Sequence, residues 1–257
     1  MVEVVHGLSN EAYHARPEIS FSGIKLFDDN RRAFQCKRDG IEPPPKAKRK
    51  PPDYQIIGSV VHDVLAYGEY RGDDASVDQI KAGMFAAERA KLNPEVAAAI
   101  QCVEKWEASY FSKDPETGLR VKCRPDGISA SLRVEVKTTK EPGAKGKFNF
   151  ARECATFKYA YQVAWYDFVL RLCLGTDPPP TVILAIRNQF PWDSTVFGPL
   201  PAADLHAAGV WCRRQRLAIR DCIESGDWSN VDDDGQPTEG RINPLRLPQW
   251  WNGGIGE

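Results

Sequence analysis

The chain has 257 residues, 42% of them hydrophobic and 27% charged, enough to bury a sizeable core in one large domain. Its 34 basic and 35 acidic residues leave a formal net charge of -1, which excludes a uniformly basic nucleic-acid glue but not a local basic groove offset by acidic ligands. No apolar run reaches the roughly 18 residues of a membrane span, and the seven cysteines contain no Cys-x-x-Cys pair, which argues against zinc, an iron–sulfur cluster or a disulfide framework.

The start of the chain, Met1 to Asn10, lacks a basic stretch followed by an apolar one, so no secretory signal is expected. Between Ile19 and Phe27, Ser20 or Ser22 is placed to cap a short helix with apolar positions Ile24, Leu26 and Phe27. Glu42 to Pro52 is a proline-flanked basic run, the densest positive stretch in the chain. It is expected to be an exposed loop, either simply solvated or facing DNA. Ile56 to Tyr67 repeats apolar residues with helical period through Ile57, Val60, Val61, Val64 and Leu65. Gln79 to Phe111, rich in alanine, reads as one or two further helices.

The period then changes. Leu119, Val121 and Cys123 alternate with polar residues, as do Leu132, Val134 and Val136, with the turn-forming Asp126–Ser131 between them. Two adjacent antiparallel strands are predicted. Lys140 to Lys147 reads as a loop, Phe157 to Leu174 as a helix stopped by Gly175 and Pro178, and Thr181 to Ile186 as a buried central strand. Ala202 to Ser225 reads as another helix. The expected organisation is one domain over residues 1–226 and a loop-rich tail over 227–257, packed on the domain or on a neighbouring subunit. Trp228, Trp250 and Trp251 in that tail are expected to serve packing. The fold class is α/β (α+β), a mixed central sheet flanked by helices.

Chemistry concentrates in Pro125-Asp126 and Arg133-Val134-Glu135-Val136-Lys137. On a strand, Glu135 and Lys137 point to one face and the two valines to the other. The valines suit a core, so Glu135 and Lys137 share the opposite side, with Asp126 returned beside them. Two carboxylates and an amine converging on one point are costly unless something binds there. A divalent cation such as Mg²⁺, which takes hard oxygen ligands and keeps several waters, meets the requirement. Each residue also has an ordinary structural role. Pro-Asp-Gly is a common turn, Glu135 and Lys137 could be a cross-strand ion pair, His62 a core histidine, and Gln162 and Tyr166 a helix-surface pair.

Taken jointly, these residues resemble the PD-(D/E)xK nucleases: Pro125-Asp126, an eight-residue spacer, then Glu135-Val136-Lys137. Gly58 to His62 resembles the helix-borne histidine of the RecB, RecE and lambda-exonuclease branch, and Gln162 to Tyr166 resembles its Q-x-x-x-Y motif. Thr117 to Asp126, Ile19 to Lys25 and Leu247 to Trp250 are similar to the exonuclease VIII (RecE) nuclease domain, so the resemblance runs from about His6 to Trp250. It implies a restriction-endonuclease-like core and a metal held by His62, Asp126, Glu135 and the Val136 carbonyl. Lys137 would be the catalytic lysine, with Gln162 and Tyr166 supporting the site or the DNA backbone. Ser20, Ser22, Lys25 and Arg124 would touch substrate. The metal would be Mg²⁺, and the imidazole suggests that Mn²⁺ also serves.

The implied activity is 5′ to 3′ degradation of linear duplex DNA from its ends, leaving 3′ single-stranded tails for recombination. The implied setting is a homo-oligomeric ring, trimer or tetramer, working with a single-strand annealing recombinase in bacterial or phage-infected cytoplasm. Two other readings remain. One is a RecB-like or CRISPR-associated single-strand nuclease, which would want an iron–sulfur cluster. The other is a non-catalytic DNA-end-binding module.

Overall fold

The computed structural model describes residues 2–41, 51–143 and 150–231. Most of the basic proline-flanked run, part of the Lys140–Lys147 stretch, and the tail beyond Val231 with Trp250 and Trp251 lie outside the described residues.

An edge strand β1 (Glu3–Val5) leads to helix α1 (Asn10–Ala15), whose first turn is capped by Ser9. Ser20, not Ser22, caps α2 (Phe21–Asp29), accepting a bond from the Gly23 amide and burying Phe21, Ile24 and Phe27. Helix α3 (Arg31–Arg38) follows, capped by Asn30. Helix α4 (Asp53–Tyr67) buries Ile56, Val60, Val61, Val64 and Leu65 and ends at Gly68 in the left-handed conformation. Helix α5 (Val77–Lys91) opens with a Ser76–Gln79 capping box, and α6 (Pro94–Gln101) with Asn93 and Pro94.

Helix then gives way earlier than the sequence suggests. Residues 105–111, read as helical, form β2 (Lys105–Trp106) and most of β3 (Ser109–Lys113). The alanine-rich run that favours helix ends at Ala99, and the aromatic Trp106, Tyr110 and Phe111 suit a pleated, buried surface better. The remaining elements are β4 (Arg120–Cys123), β5 (Gly127–Ile128), β6 (Arg133–Thr139), α7 (Phe150–Thr156), α8 (Tyr159–Leu174), β7 (Thr181–Arg187), β8 (Ser194–Phe197) and α9 (Ala202–Ser225).

The strands make a three-stranded antiparallel sheet, β1-β3-β4, and a five-stranded mixed sheet, β2-β5-β6-β7-β8. The expected hairpin of β4 with β6 is therefore corrected: the two lie in different sheets, and β6 pairs antiparallel with the short β5. Pro125 explains the break, since it has no amide hydrogen with which to continue a ladder. Asp126 stands at the crossing between sheets. Strands β6 and β7 run parallel and are joined through α7 and α8, the crossover that parallel pairing requires.

Strand β6 lies in the middle of the mixed sheet and is covered on both faces. Val134 and Val136, with Leu184 and Ile186 of β7, pack against Val60, Val61 and Val64 of α4 and the alanines of α5. On the other face, Arg133 reaches α8, while Ile183 and Ala185 meet Phe150 of α7. A second core joins α2, α3, α8 and α9 to β3 and β4 around Trp165, whose indole N–H donates to the Lys122 carbonyl at 3.0 Å. Trp228 closes this core against Phe34, their rings 6.1 Å apart. The result is the expected α+β arrangement of a mixed sheet flanked by helices.

Candidate active site

Period-2 alternation sends Glu135 and Lys137 away from the valine face of β6. Glu135 is buried, 1% exposed, and its Oε2 lies 3.3 Å from Lys137 Nζ. Its Oε1 is buried with no hydrogen-bond partner among the described residues. Asp126 arrives from the β4–β5 crossing and is fixed by its own acceptor: Oδ2 takes the Val136 amide at 2.7 Å. Lys137 Nζ stands 4.0 Å from that same oxygen. From the opposite side, α4 carries His62, whose Nδ1 is 3.7 Å from Asp126 Oδ1. Sequence positions 62, 126, 135, 136 and 137 thus meet at the C-terminal part of β6.

The electrostatics follow from this crowding. Burial, and then the Asp126 charge, push the Glu135 carboxyl up to about 7, against the lowering pull of Lys137 and Arg133. Burial works to lower the Lys137 ammonium, but the Asp126 and Glu135 carboxylates outweigh it and hold its pKa above the ordinary lysine value. Lys137 is therefore a cation at neutral pH, and its Nζ also sits 5.4 Å from the centre of the Tyr159 ring.

A Mg²⁺-type ion fits the donor set. Among the described residues no three His, Cys, Asp or Glu side chains close around one point as a finished metal cage. What the centre offers instead is two carboxylates, one with an orphaned buried oxygen, and an imidazole facing Asp126. A hard cation that keeps part of its water shell needs no more protein ligands than this. An orphaned carboxylate oxygen is otherwise a cost of several kcal/mol, on the order of 1–3 for a neutral group and more for a charged one.

The other sequence candidates divide. Gln162 Nε2 donates to the Tyr166 hydroxyl at 3.0 Å, one turn along α8. Burial first, and the nearby Glu135 carboxylate second, raise the Tyr166 phenol well above its ordinary range. Both line a cavity of about 330 Å³ together with Ser20, Ser22 and Lys25. Val136, Lys137 and His62 open instead onto a larger cleft of about 840 Å³, and Phe157 and Tyr159 wall both spaces. Arg124 lines neither. Its guanidinium is taken up by Ser109 Oγ at 2.9 Å and the Leu8 carbonyl at 3.0 Å, so it ties down the N-terminal segment.

Two features of the site went unread in the sequence. Arg133 lies two residues before Glu135 on the same strand face, 0% exposed, donating to Asp167 Oδ1 at 2.7 Å and to the Val163 carbonyl at 3.3 Å. The alternation that singled out Glu135 and Lys137 would have found it, since 133, 135 and 137 share one side. The second is Gly58. A Cβ there would stand 2.7 Å from Thr138 Oγ1, so α4 approaches β6 through a position that only glycine leaves open.

The fold and its centre define an α+β protein with a mixed sheet whose middle strand carries buried acidic and basic groups on one face. No family model matches the chain, and no curated protein matches its sequence. Among solved structures it is similar to a crystal structure from Eubacterium rectale, provisionally named as an exonuclease. The TM-score is 0.58 at 15% identity, over 84% of this chain and 88% of that one. At that identity the likeness is one of fold. Among the described residues no helix is long and apolar enough to cross a membrane.

Proposed function

We propose that this protein is a metal-dependent exodeoxyribonuclease that degrades linear double-stranded DNA from its ends, 5′ to 3′. The observation that carries the reading is the meeting of Asp126, Glu135 and Lys137 at one point, with Glu135 Oε1 buried and unpaired. A fold shared with a protein that carries an exonuclease name adds support.

In this reading Asp126, Glu135 and His62, with the Val136 carbonyl, hold Mg²⁺ or Mn²⁺. When bound, that ion polarises the scissile phosphate and makes its water a better nucleophile. Lys137, kept cationic by its two carboxylate neighbours, orients the attacking water and offsets charge as the phosphorus–oxygen bond breaks. The Val136 amide holds Asp126 in the orientation that leaves Oδ1 facing His62. Gln162 and Tyr166 support Glu135 from α8, and Ser20, Ser22 and Lys25 take a terminal phosphate in the adjoining cavity. The 5′ to 3′ direction, a ring of three or four copies, production of 3′ tails and a single-strand annealing partner belong to the same proposal, on the resemblance of the motifs to exonuclease VIII.

The test is incubation with linear duplex labelled at one 5′ end, and with covalently closed circles, under Mg²⁺, Mn²⁺ or EDTA. Metal-dependent release of labelled mononucleotides from linear DNA alone is expected. Cutting of closed circles would instead make it an endonuclease, and intact linear DNA under every metal would end the catalytic reading.

A further inference from the structure

Helix α5 buries its small residues and exposes its large apolar ones. Gly83, Ala86, Ala87 and Ala90 are buried against α4 and the mixed sheet, with Ile80 half-buried beside them. Gly83 shows why: a Cβ there would stand 2.5 Å from Val60 of α4, so the helices cross too closely to admit a side chain. The large apolar residues are left outside, Val77 at 66% exposure, Met84 at 42%, Phe85 at 50% and Leu92 at 69%. Phe190, on the turn between β7 and β8, extends this surface. Trp192 links it to Phe85, with ring centres 5.5 and 4.7 Å away. Single apolar residues on a surface are ordinary, but a contiguous stripe of them marks an interface.

The order of residues along the stripe decides what fits it. Val77, Lys81, Met84, Phe85, Glu88 and Leu92 fall on one side of the helix, within about 100° of arc at 3.6 residues per turn. Leu92 lies just past the last residue of α5, but its φ of -77° and ψ of -15° keep it on the stripe. The pattern reads alike in both directions, with an apolar residue at each end and an apolar pair at the centre. Halfway along each arm stands a charge, basic on one and acidic on the other. Two such stripes laid antiparallel, about a two-fold axis between residues 84 and 85, set Val77 opposite Leu92 of the partner subunit. They also set Lys81 opposite Glu88 of the partner subunit, and the axis makes that ion pair twice. Met84 and Phe85 of both copies meet at the axis. A parallel, in-register pairing would oppose like charges, so the charges select the antiparallel one. Glu88 also holds Lys91 at 2.8 Å, but its side chain stays 61% exposed, and an exposed pair of this kind is weak enough to share.

We propose that the exposed face of α5 binds a second copy of this chain, α5 against α5 and antiparallel, with Lys81 and Glu88 fixing the register. The contact is self-complementary, so it pairs copies, or pairs whole rings of them, and does not propagate further. One helix pair about 22 Å long falls below the roughly 1,200 Å² of a standard interface, so the association is reversible, with a Kd in the micromolar range. The nuclease reading is not needed for any of this.

Sedimentation velocity of the full chain across about 1–200 μM reads the association. The unaltered chain should show a reversible doubling of mass as concentration rises. Lys81→Glu and Glu88→Lys should each weaken that doubling by about tenfold or more, since each sets like charges opposite one another twice. Mixed in equal amounts, the two single variants should associate with each other as the unaltered chain does with itself. The double variant Lys81→Glu/Glu88→Lys should recover the unaltered behaviour. Phe85→Ala, with the charges intact, should weaken the doubling by about tenfold. Equal melting temperatures at the lowest concentration exclude misfolding as the cause of a loss. No doubling of the unaltered chain, single variants that associate as it does, or a mixture no tighter than its components would overturn the α5 pairing. If some other occupant takes this face, the chain's own residues 232–257 included, all the variants keep one mass at every concentration, and that too would overturn it.

Discussion

Gly58→Ala tests whether the close approach of α4 to β6 sets the geometry of the centre. The added Cβ would stand 2.7 Å from Thr138 Oγ1, about 0.7 Å short of ordinary contact. Thr138 is β-branched and stiff at χ1, so a change of its rotamer is disfavoured and part of the strain falls on the helix. Helix α4 is then expected to shift by several tenths of an ångström. His62 lies one turn further along the same helix, and its Nδ1 is 3.7 Å from Asp126, so the shift is delivered to the centre. Stability changes little, since overpacking costs about 1–3 kcal/mol and replacing glycine in a helix returns about 1. Activity should fall more, on the order of tenfold to a hundredfold for a misplacement approaching 1 Å. Thr138→Ala leaves Thr138 Cβ at 3.8 Å as the nearest contact and should restore most of the loss. Initial rates of nucleotide release from linear duplex, set out as a double-mutant cycle, read the coupling directly. Full activity in Gly58→Ala, or a loss that Thr138→Ala leaves untouched, would refute the argument.

Glu135 gives a pH dependence. Its carboxyl titrates near 7 in the folded protein against an ordinary value of 4.5, so the folded state binds more protons between those values and the metal-free protein loses stability as pH rises through that window. Metal needs the ionised form, so its affinity should be about thirtyfold weaker at pH 5.5 than above 7; an equal Mg²⁺-induced rise in melting temperature at pH 5.5 and 8 would contradict this. Asp167→Ala strands the buried Arg133 guanidinium and should cost about 3–5 kcal/mol by denaturant melting, with Arg133→Met/Asp167→Leu much milder; equal losses would show that the charge is not the cause. Arg124→Ala frees the Leu8 carbonyl and Ser109 and should cost about 1.5–3 kcal/mol while speeding proteolysis near residue 8, with nucleotide binding unchanged. A large loss of DNA affinity at unaltered stability would return Arg124 to the substrate.

Much of this was legible where side-chain period is strong. Val134 and Val136 alternating with Glu135 and Lys137 marked β6 and its two faces, and the apolar stripe of α4 marked that helix. Strands β1, β2 and β5 were not, because two or three residues carry no measurable alternation. The partner of β6 was misread because Pro125 moves the chain between sheets, a consequence of tertiary pairing that no local pattern announces. Arg124 is a substrate contact only by the resemblance, and what no local pattern announces is that its guanidinium bonds Ser109 and the Leu8 carbonyl of the N-terminal segment. The cleft wall at Phe157 depends on one left-handed residue, Lys158, inside a stretch that reads as continuous helix.

The central claim is that Asp126, Glu135 and His62 hold a catalytic cation while Lys137 acts on the water and phosphate. Calorimetric titration with Mn²⁺ at pH 8, paired with cleavage of linear duplex, tests it most directly across the unaltered protein, Glu135→Gln and Lys137→Ala. Binding and cleavage in the unaltered protein are expected, with both lost in Glu135→Gln and binding retained without cleavage in Lys137→Ala. Mn²⁺ bound equally by Glu135→Gln, or cleavage surviving in Lys137→Ala, would contradict it.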